Sequence, residues 1–289
     1  MQIDESIRPV IVAGLGIAIL SCMDASMKVV SAAYPISEVV GLRYAAGTGF
    51  ALTVFVFARE AFPSRATILR NLPRAVVVLL TAGCFFTAIA RLPLAEAVAL
   101  TFLAPLLLSV LGRIVLSEPI HVRTLVALIA GLAGVGVISA GQDFDSTKAF
   151  DVLGVAAALG AAFFYALSNV LMRKQSGTDS IFTMVALSNL FAMVFALPGV
   201  VLQWQAPTNS HVLTFLAAGL LGTCGHLCLA WSYSRSPAGR LGALEYTAFI
   251  WTSLLGYIFF SEIPSPTTLV GAAIIVLSCV FASWSRRAS

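Results

Sequence analysis

Charge is what this sequence has least of. Only 10% of its residues are Asp, Glu, Lys or Arg, against about 25% in an ordinary soluble domain. Hydrophobic residues make up 59%, and the mean hydropathy is +0.96. A chain of 289 residues has too little interior to hide that much apolar surface, so the excess faces lipid. The nucleotide-binding pattern GxxxxGK[ST] is missing, as are HExxH and GxSxG. These absences exclude direct ATP-driven pumping by the chain itself and leave no sign of enzymatic chemistry or of a cofactor. The cysteines, Cys22, Cys84, Cys224, Cys228 and Cys279, lie inside apolar runs and form no disulfide framework. Cys224-x-His226-x-Cys228 has the look of a metal site, but on a helix His226 points roughly 200° from Cys224. The motif reads as small residues packing between helices. The net charge of +4 sits in short basic clusters between apolar runs, which is not a nucleic-acid surface.

A membrane-crossing helix needs about 20 mostly apolar residues. Ten such spans are predicted, at 10–30, 37–58, 73–90, 94–116, 122–140, 151–172, 181–202, 211–232, 238–260 and 266–284. The first is read as a retained helix, because Asp24 and Lys28 suit a signal sequence poorly. Turn residues such as Pro63-Ser64, Pro93, Pro119, Gly177 and Pro237 mark short connections. With the N-terminus in the cytoplasm, thirteen basic residues fall inside (Arg8, Arg59, Arg65, Arg70, Arg74, Arg113, Arg123, Arg173, Lys174, Arg235, Arg240, Arg286, Arg287) and three outside (Lys28, Arg91, Lys148). The expectation is a multi-pass inner (plasma) membrane protein with both termini cytoplasmic.

The stretch LGRIVLSEP (111–119) recurs as LGYIFFSEI (255–263), 144 positions later. At that shift Arg91 meets Arg235, Pro93 meets Pro237, Ser109 meets Ser253, and Ser117-Glu118 meets Ser261-Glu262. At a shift of 145, Asp24-x-x-Met27-Lys28 meets Asn169-x-x-Met172-Arg173. The shift spans five helices, an odd number, so equivalent segments run in opposite directions. The fold expected is all-α, ten transmembrane helices in two inverted five-helix repeats, 1–143 and 144–289. Such proteins place a site near the midplane between the halves.

The segments ARLPLAEAVALTFLAPLLLSVLGRIVLSEP (90–119) and LGALEYTAFIWTSLLGYIFFSEIP (241–264), with Asp24, Lys28 and Arg43, resemble the drug/metabolite transporter superfamily, EamA type. That resemblance implies a secondary transporter working by alternating access on a small polar or amphipathic metabolite, an amino acid or derivative being favoured. Uptake of a nucleoside-like metabolite or vitamin, of the S-adenosylmethionine or riboflavin type, is the alternative. A non-transporting membrane receptor or assembly factor is the reading from another class. The partners expected are the bilayer, a small-molecule substrate and a coupling proton, with the chain a monomer or weak homodimer.

Polar residues inside spans are costly there and functional by default. Asp24 pairs either with Lys28 one turn on or with Arg43 at similar depth, closing an outer gate. Arg43 is also a candidate direct anchor for a substrate carboxylate, the alternative being a pairing with Asp24 or Glu96. Glu245, about 12 Å into its span at 1.5 Å per residue, is a candidate site for a substrate ammonium or a proton. His226 is either a titrating group near neutral pH or a neutral ring bonded to a carbonyl. Phe102 and Tyr246 are repeat mates, and with Tyr165 they supply aromatic faces for rings or cations. Pro105 predicts a kink in the fourth span; its repeat mate is Phe249, so the two halves are expected to bend differently. Trp204, Trp231 and Trp284 read as interface anchors.

Overall fold

The computed structural model describes residues 7–117, 122–142, 151–175, 179–235 and 244–284. The boundary at 143/144, Glu118, Pro119, Gly177, Pro237, Arg240, the loop 143–148 and the two C-terminal arginines lie outside these residues, as do the side chains of Arg123, Arg173, Lys174 and Trp284. All regular structure among the described residues is helical: α1 Arg8–Ser31, α2 Ile36–Phe57, α3 Arg65–Arg91, α4 Leu94–Thr101, α5 Ala104–Leu116, α6 Val122–Gln142, α7 Val152–Gln175, α8 Ile181–Leu202, α9 Asn209–Tyr233, α10 Ala248–Phe260 and α11 Pro266–Trp284. In lipid a backbone must satisfy its own polar groups, and a helix does so within one segment. Seven helices of 20 to 27 residues are long and apolar enough to cross a bilayer, α4 and α5 counting as one span. Three shorter apolar helices within α6, α10 and α11 complete ten.

Helix starts are set by short polar side chains. Ser64, Ser180 and Thr208 accept from the backbone N–H of Thr67 (3.1 Å), Thr183 (3.1 Å) and His211 (3.4 Å), filling donors that the first turn leaves open. The Ser64 cap corrects one predicted boundary. Helix α3 begins at Arg65 and runs through Pro73, where the sequence places the start of the third span. Proline strands the carbonyl four residues back. That residue, Leu69, is exposed near the helix end. Arg74, counted among the inner charges at the very start of the predicted span, therefore lies nine residues into a spanning helix.

Helices of the two halves alternate in space. Helix α1 packs on α9, α3 on α7, α2 on α8, α4 on α10 and α6 on α11. With α1, α2, α3, the broken span α4–α5, and α6 equivalent to α7, α8, α9, the span ending in α10, and α11, the first two pairs exchange under a two-fold axis and the other three, taken as whole spans, map onto themselves. This is the contact pattern of two inverted five-helix repeats. Any rocking motion must move mixed groups of helices, because neither half forms a separate body. The close approach of α6 and α11 needs glycine: a Cβ on Gly271 would sit 2.6 Å from the Gly134 carbonyl oxygen.

The kink expected from Pro105 is present, but the expected difference between halves is not. After α4, Leu103 N–H bonds Leu100 O (3.4 Å), and Leu106 and Leu107 N–H both bond Leu103 O (3.1 Å each). Before α10, Thr247 N–H bonds Leu244 O (2.9 Å), and Ile250 and Trp251 N–H bond Thr247 O (3.0 and 3.3 Å). The two breaks match position for position at a shift of 144, although Phe249 replaces the proline. A threonine serves each break: Thr101 Oγ1 donates to Val98 O (2.7 Å) and Thr247 Oγ1 to Leu244 O (2.6 Å). Such side-chain bonds give a helix carbonyl a partner other than the next turn. The spans also end alike, with Ser117 and Ser261 left-handed at φ 57° and 55°.

Candidate substrate site

The two helix breaks meet. Phe102, just after α4, and Tyr246, just before α10, touch edge to face, with ring centroids 5.2 Å apart at 87°. The break frees the Phe102 carbonyl, which accepts the Cys279 thiol at 3.4 Å, and the Tyr246 hydroxyl lies towards that same sulfur. Phe102 is buried, and Tyr246 is half-buried against the same core. The pair forms the wall where the halves join.

Glu245 stands next to Tyr246, and its charge acts on the Tyr165 hydroxyl of α7. Tyr165 is 40% exposed.

Arg43 is placed differently from the expectation of a directly accessible anchor. It is only 3% exposed. Its guanidinium lies over the Tyr44 ring (4.2 Å), donates to Asn189 Oδ1 (3.3 Å) and touches Met23 Sδ (3.5 Å). Asp24, half-buried on α1, feels its charge, but among the described residues the two make no ion pair within 4.0 Å. His226 on α9 is exposed. Its Nδ1–H donates to Gly222 O at 2.6 Å, because a carbonyl can only accept. Nε2 is left as the ring's outward atom. The bond to a carbonyl is one of the two readings open in the sequence.

The sequence missed the tightest tie between the halves. Lys28 does not turn back to Asp24. Its Nζ pairs with Glu262 Oε1 at 2.7 Å, donates to Leu92 O at 2.6 Å and lies 5.4 Å from the Phe260 ring. Glu262 Oε2 accepts the Leu94 N–H at 2.8 Å. One contact thus joins α1, the α3–α4 corner and the end of α10. Both residues lie in repeat motifs, and the charge count puts both at the same end of their spans; that was the available signal. The same end carries Glu38 Oε2 accepting from Gln205 N–H (3.0 Å) and Tyr34 Oη bonded to His211 Nδ1 (2.8 Å). Arg91 pairs there with Asp151 at 3.1 Å. Burial works against the Asp151 charge, but the Gly154 N–H and the Arg91 guanidinium outweigh it and hold the carboxyl below its usual range. At the opposite end Asp179 accepts from Arg70 (2.8 Å), Thr67 (3.1 Å) and Asn71 (3.2 Å).

An apolar groove of about 560 Å³ runs between α2, α3, α7 and α8, lined by residues such as Val40, Leu80, Ala156 and Phe195. It is separate from the charged groups. None of the described residues form a group of three or more His, Cys, Asp or Glu able to hold a metal.

Comparison with known proteins bears on this arrangement. Over 294 residues, 99% of this chain and 100% of the relative, it is 26% identical to the pseudopaline exporter of Pseudomonas aeruginosa. It is 28% identical to the riboflavin transporter of Vibrio cholerae over 68% of this chain and 65% of that one. It is 24% identical to the S-adenosylmethionine uptake transporter of Rickettsia bellii over the same shares. A crystal structure 20% identical, covering 97% of this chain and 99% of its own, superposes with a TM-score of 0.66 and shares the fold. The model of the EamA-like transporter family matches residues 5–140 and 152–284, one match to each five-helix half, and the chain belongs to that family.

Proposed function

We propose that this membrane transporter exports an amino acid or amino-acid derivative across the inner (plasma) membrane by alternating access, in exchange for protons, with both termini in the cytoplasm. The observation that carries the reading is the charge of Glu245 acting on the Tyr165 hydroxyl of α7, beside the meeting point of two broken helices. An acid there is costly unless it has work to do, and a substrate ammonium and a proton are the two cations it suits. If both use Glu245 they compete, and competition for one acid makes an exchanger. Under an inward proton gradient an exchanger drives its substrate outward. A relative that matches over 99% of this chain is an exporter, which supports the direction. The thirteen-to-three distribution of basic residues supports an outside position for the Lys28 end.

The test is a thermal-shift panel of amino acids, nucleosides and vitamins on the purified protein, followed by flux in liposomes. A ligand of the folded state raises its apparent stability. Stabilisation by amino-acid compounds, with turnover in liposomes, supports the reading. Stabilisation by nucleosides or vitamins alone moves the chain to the uptake class of its riboflavin and S-adenosylmethionine relatives. Binding without flux makes it a receptor.

A further inference from the structure

The apolar groove between α2, α3, α7 and α8 plays no part in the transport site proposed above. Its volume of about 560 Å³ falls within the roughly 300–1,000 Å³ of sites that hold small organic molecules. Buried Val40, Ala157 and Ala196 make its floor, and exposed Leu80, Leu153 and Phe195 its rim. None of the described residues that line it is charged. Two hydroxyls reach it, and both are committed elsewhere: Ser37 donates to Gln203 Oε1 (2.8 Å) and Thr87 to Gly83 O (2.7 Å). A charged solute would lose its water there with little in return, whereas an apolar chain loses nothing.

Position narrows the occupant. Ile36, Thr87, Leu153 and Gly199 line the groove within about one turn of their helix ends, all at the end where α1 stops. From Leu79 to Thr87 the groove follows α3 for about 12 Å at 1.5 Å per residue. A hydrocarbon core is about 30 Å thick, so this is most of the depth of one leaflet. An ion pair stands just past the mouth. Arg91 follows Thr87 by four residues on the same face of α3, and Asp151 lies two residues before Leu153. Arg91 Nη1 meets Asp151 Oδ2 at 3.1 Å, with the side chains 44% and 28% exposed. The pair is neutral as a whole and offers both signs of charge at the headgroup level.

We propose that the groove holds one acyl chain of a zwitterionic phospholipid, of the phosphatidylethanolamine type, from the leaflet at that end. The headgroup sits on the charged pair, phosphate against the Arg91 guanidinium and ammonium against the Asp151 carboxylate. The acyl chain packs against α2, α3, α7 and α8 together, so bound lipid stabilises the arrangement in which they meet. The site is distinct from the transport site and independent of what is carried. Gly83 supplies a handle: a Cβ there would meet nothing within 4 Å, so a larger side chain at this lining position takes the space of the lipid.

The experiment uses the full-length protein, delipidated in detergent, in thermal-shift titrations with dioleoyl phosphatidylethanolamine, dioleoyl phosphatidylglycerol and dioleoylglycerol. Phosphatidylethanolamine should raise the melting temperature most, as a ligand of the folded state does. Gly83→Leu should weaken its apparent affinity at least about tenfold, with a lipid-free melting temperature within a few degrees of wild type. Ala156→Phe, which fills the groove from the exposed side of α7, should give the same loss and keeps the test decisive if Gly83→Leu fails to fold. Arg91→Gln should weaken phosphatidylethanolamine about fivefold and remove its advantage over dioleoylglycerol. Unchanged lipid responses in both groove-filling variants overturn the inference. Equal responses to all three lipids, or a preference for phosphatidylglycerol, overturn the headgroup assignment. If the groove-filling variants instead lose the response to the transported compound and keep that to phosphatidylethanolamine, the groove belongs to the solute and the inference fails.

Discussion

Replacing Lys28 with methionine should open the bundle at the end where α1 stops. The methylene stem is kept and only the charge is lost. Lys28 and Glu262 side chains are 12% and 23% exposed. An exposed ion pair is worth about 0–1 kcal/mol, and stripping one partner from a fully buried pair costs about 3–5 kcal/mol. This pair lies between those limits, and its loss also frees the Leu92 carbonyl. We take about 2 kcal/mol, which is roughly 30-fold in population at 1.4 kcal/mol per tenfold. The contact joins helices that must separate for that end to open, so the whole penalty falls on the closed state. Spin labels on the exposed Ala33 and Ile263, which flank the contact, would report it as a longer distance distribution by pulsed electron resonance. Glu262→Gln should shift the distribution equally, and the double substitution no further, because both remove one bond. Unchanged distances, or two fully additive shifts, would refute the idea that this contact holds the end shut.

Three further outcomes follow from the packing. Pro105→Ala should keep the break between α4 and α5 and leave transport within about twofold, because the break before α10 forms without a proline; a straightened span by cryo-EM would contradict this. Gly271→Ala should lower stability in detergent by about 1–3 kcal/mol, since its Cβ would meet the Gly134 carbonyl and backbone cannot swing aside. Asp151, with its carboxyl held low, should contribute stability above its unfolded value near 4 and lose it as pH falls through the lower folded value. Relative to Asp151→Asn, the wild-type advantage should be under about 1 kcal/mol, flat from pH 7 to pH 5 in a thermal melt, and gone well below pH 4.

The ten spans were legible because lipid imposes a length and a composition that no soluble helix shares, and the repeat because LGRIVLSEP and LGYIFFSEI keep polar landmarks in register. The meeting of Phe102 with Tyr246 was legible for the same reason: equivalent positions near a two-fold axis face each other. The Pro105 asymmetry was misjudged because local chemistry suggested one bent span, while Thr101 and Thr247 serve the same break in both. Lys28 was misread through its neighbour in sequence. An i,i+4 acid is the only partner visible along one helix, whereas Glu262 arrives from a span more than 230 residues away. The burial of Arg43 was not legible because it depends on α8 and α9 closing over it, which no single segment encodes. Arg74 was hidden by Pro73, a boundary signal that the Ser64 cap overrides.

The central claim is that Glu245 serves both substrate and proton. Its most direct measurement is flux in proteoliposomes with the amino-acid compound that stabilises the protein best, comparing wild type with Glu245→Gln. The wild type should accumulate the compound against its gradient when a pH gradient is imposed. Glu245→Gln should lose that pH-driven accumulation and bind the compound at least about tenfold more weakly, while melting within a few degrees of wild type. A variant that binds normally and still responds fully to the pH gradient would contradict the account and leave Glu245 a structural partner of Tyr165.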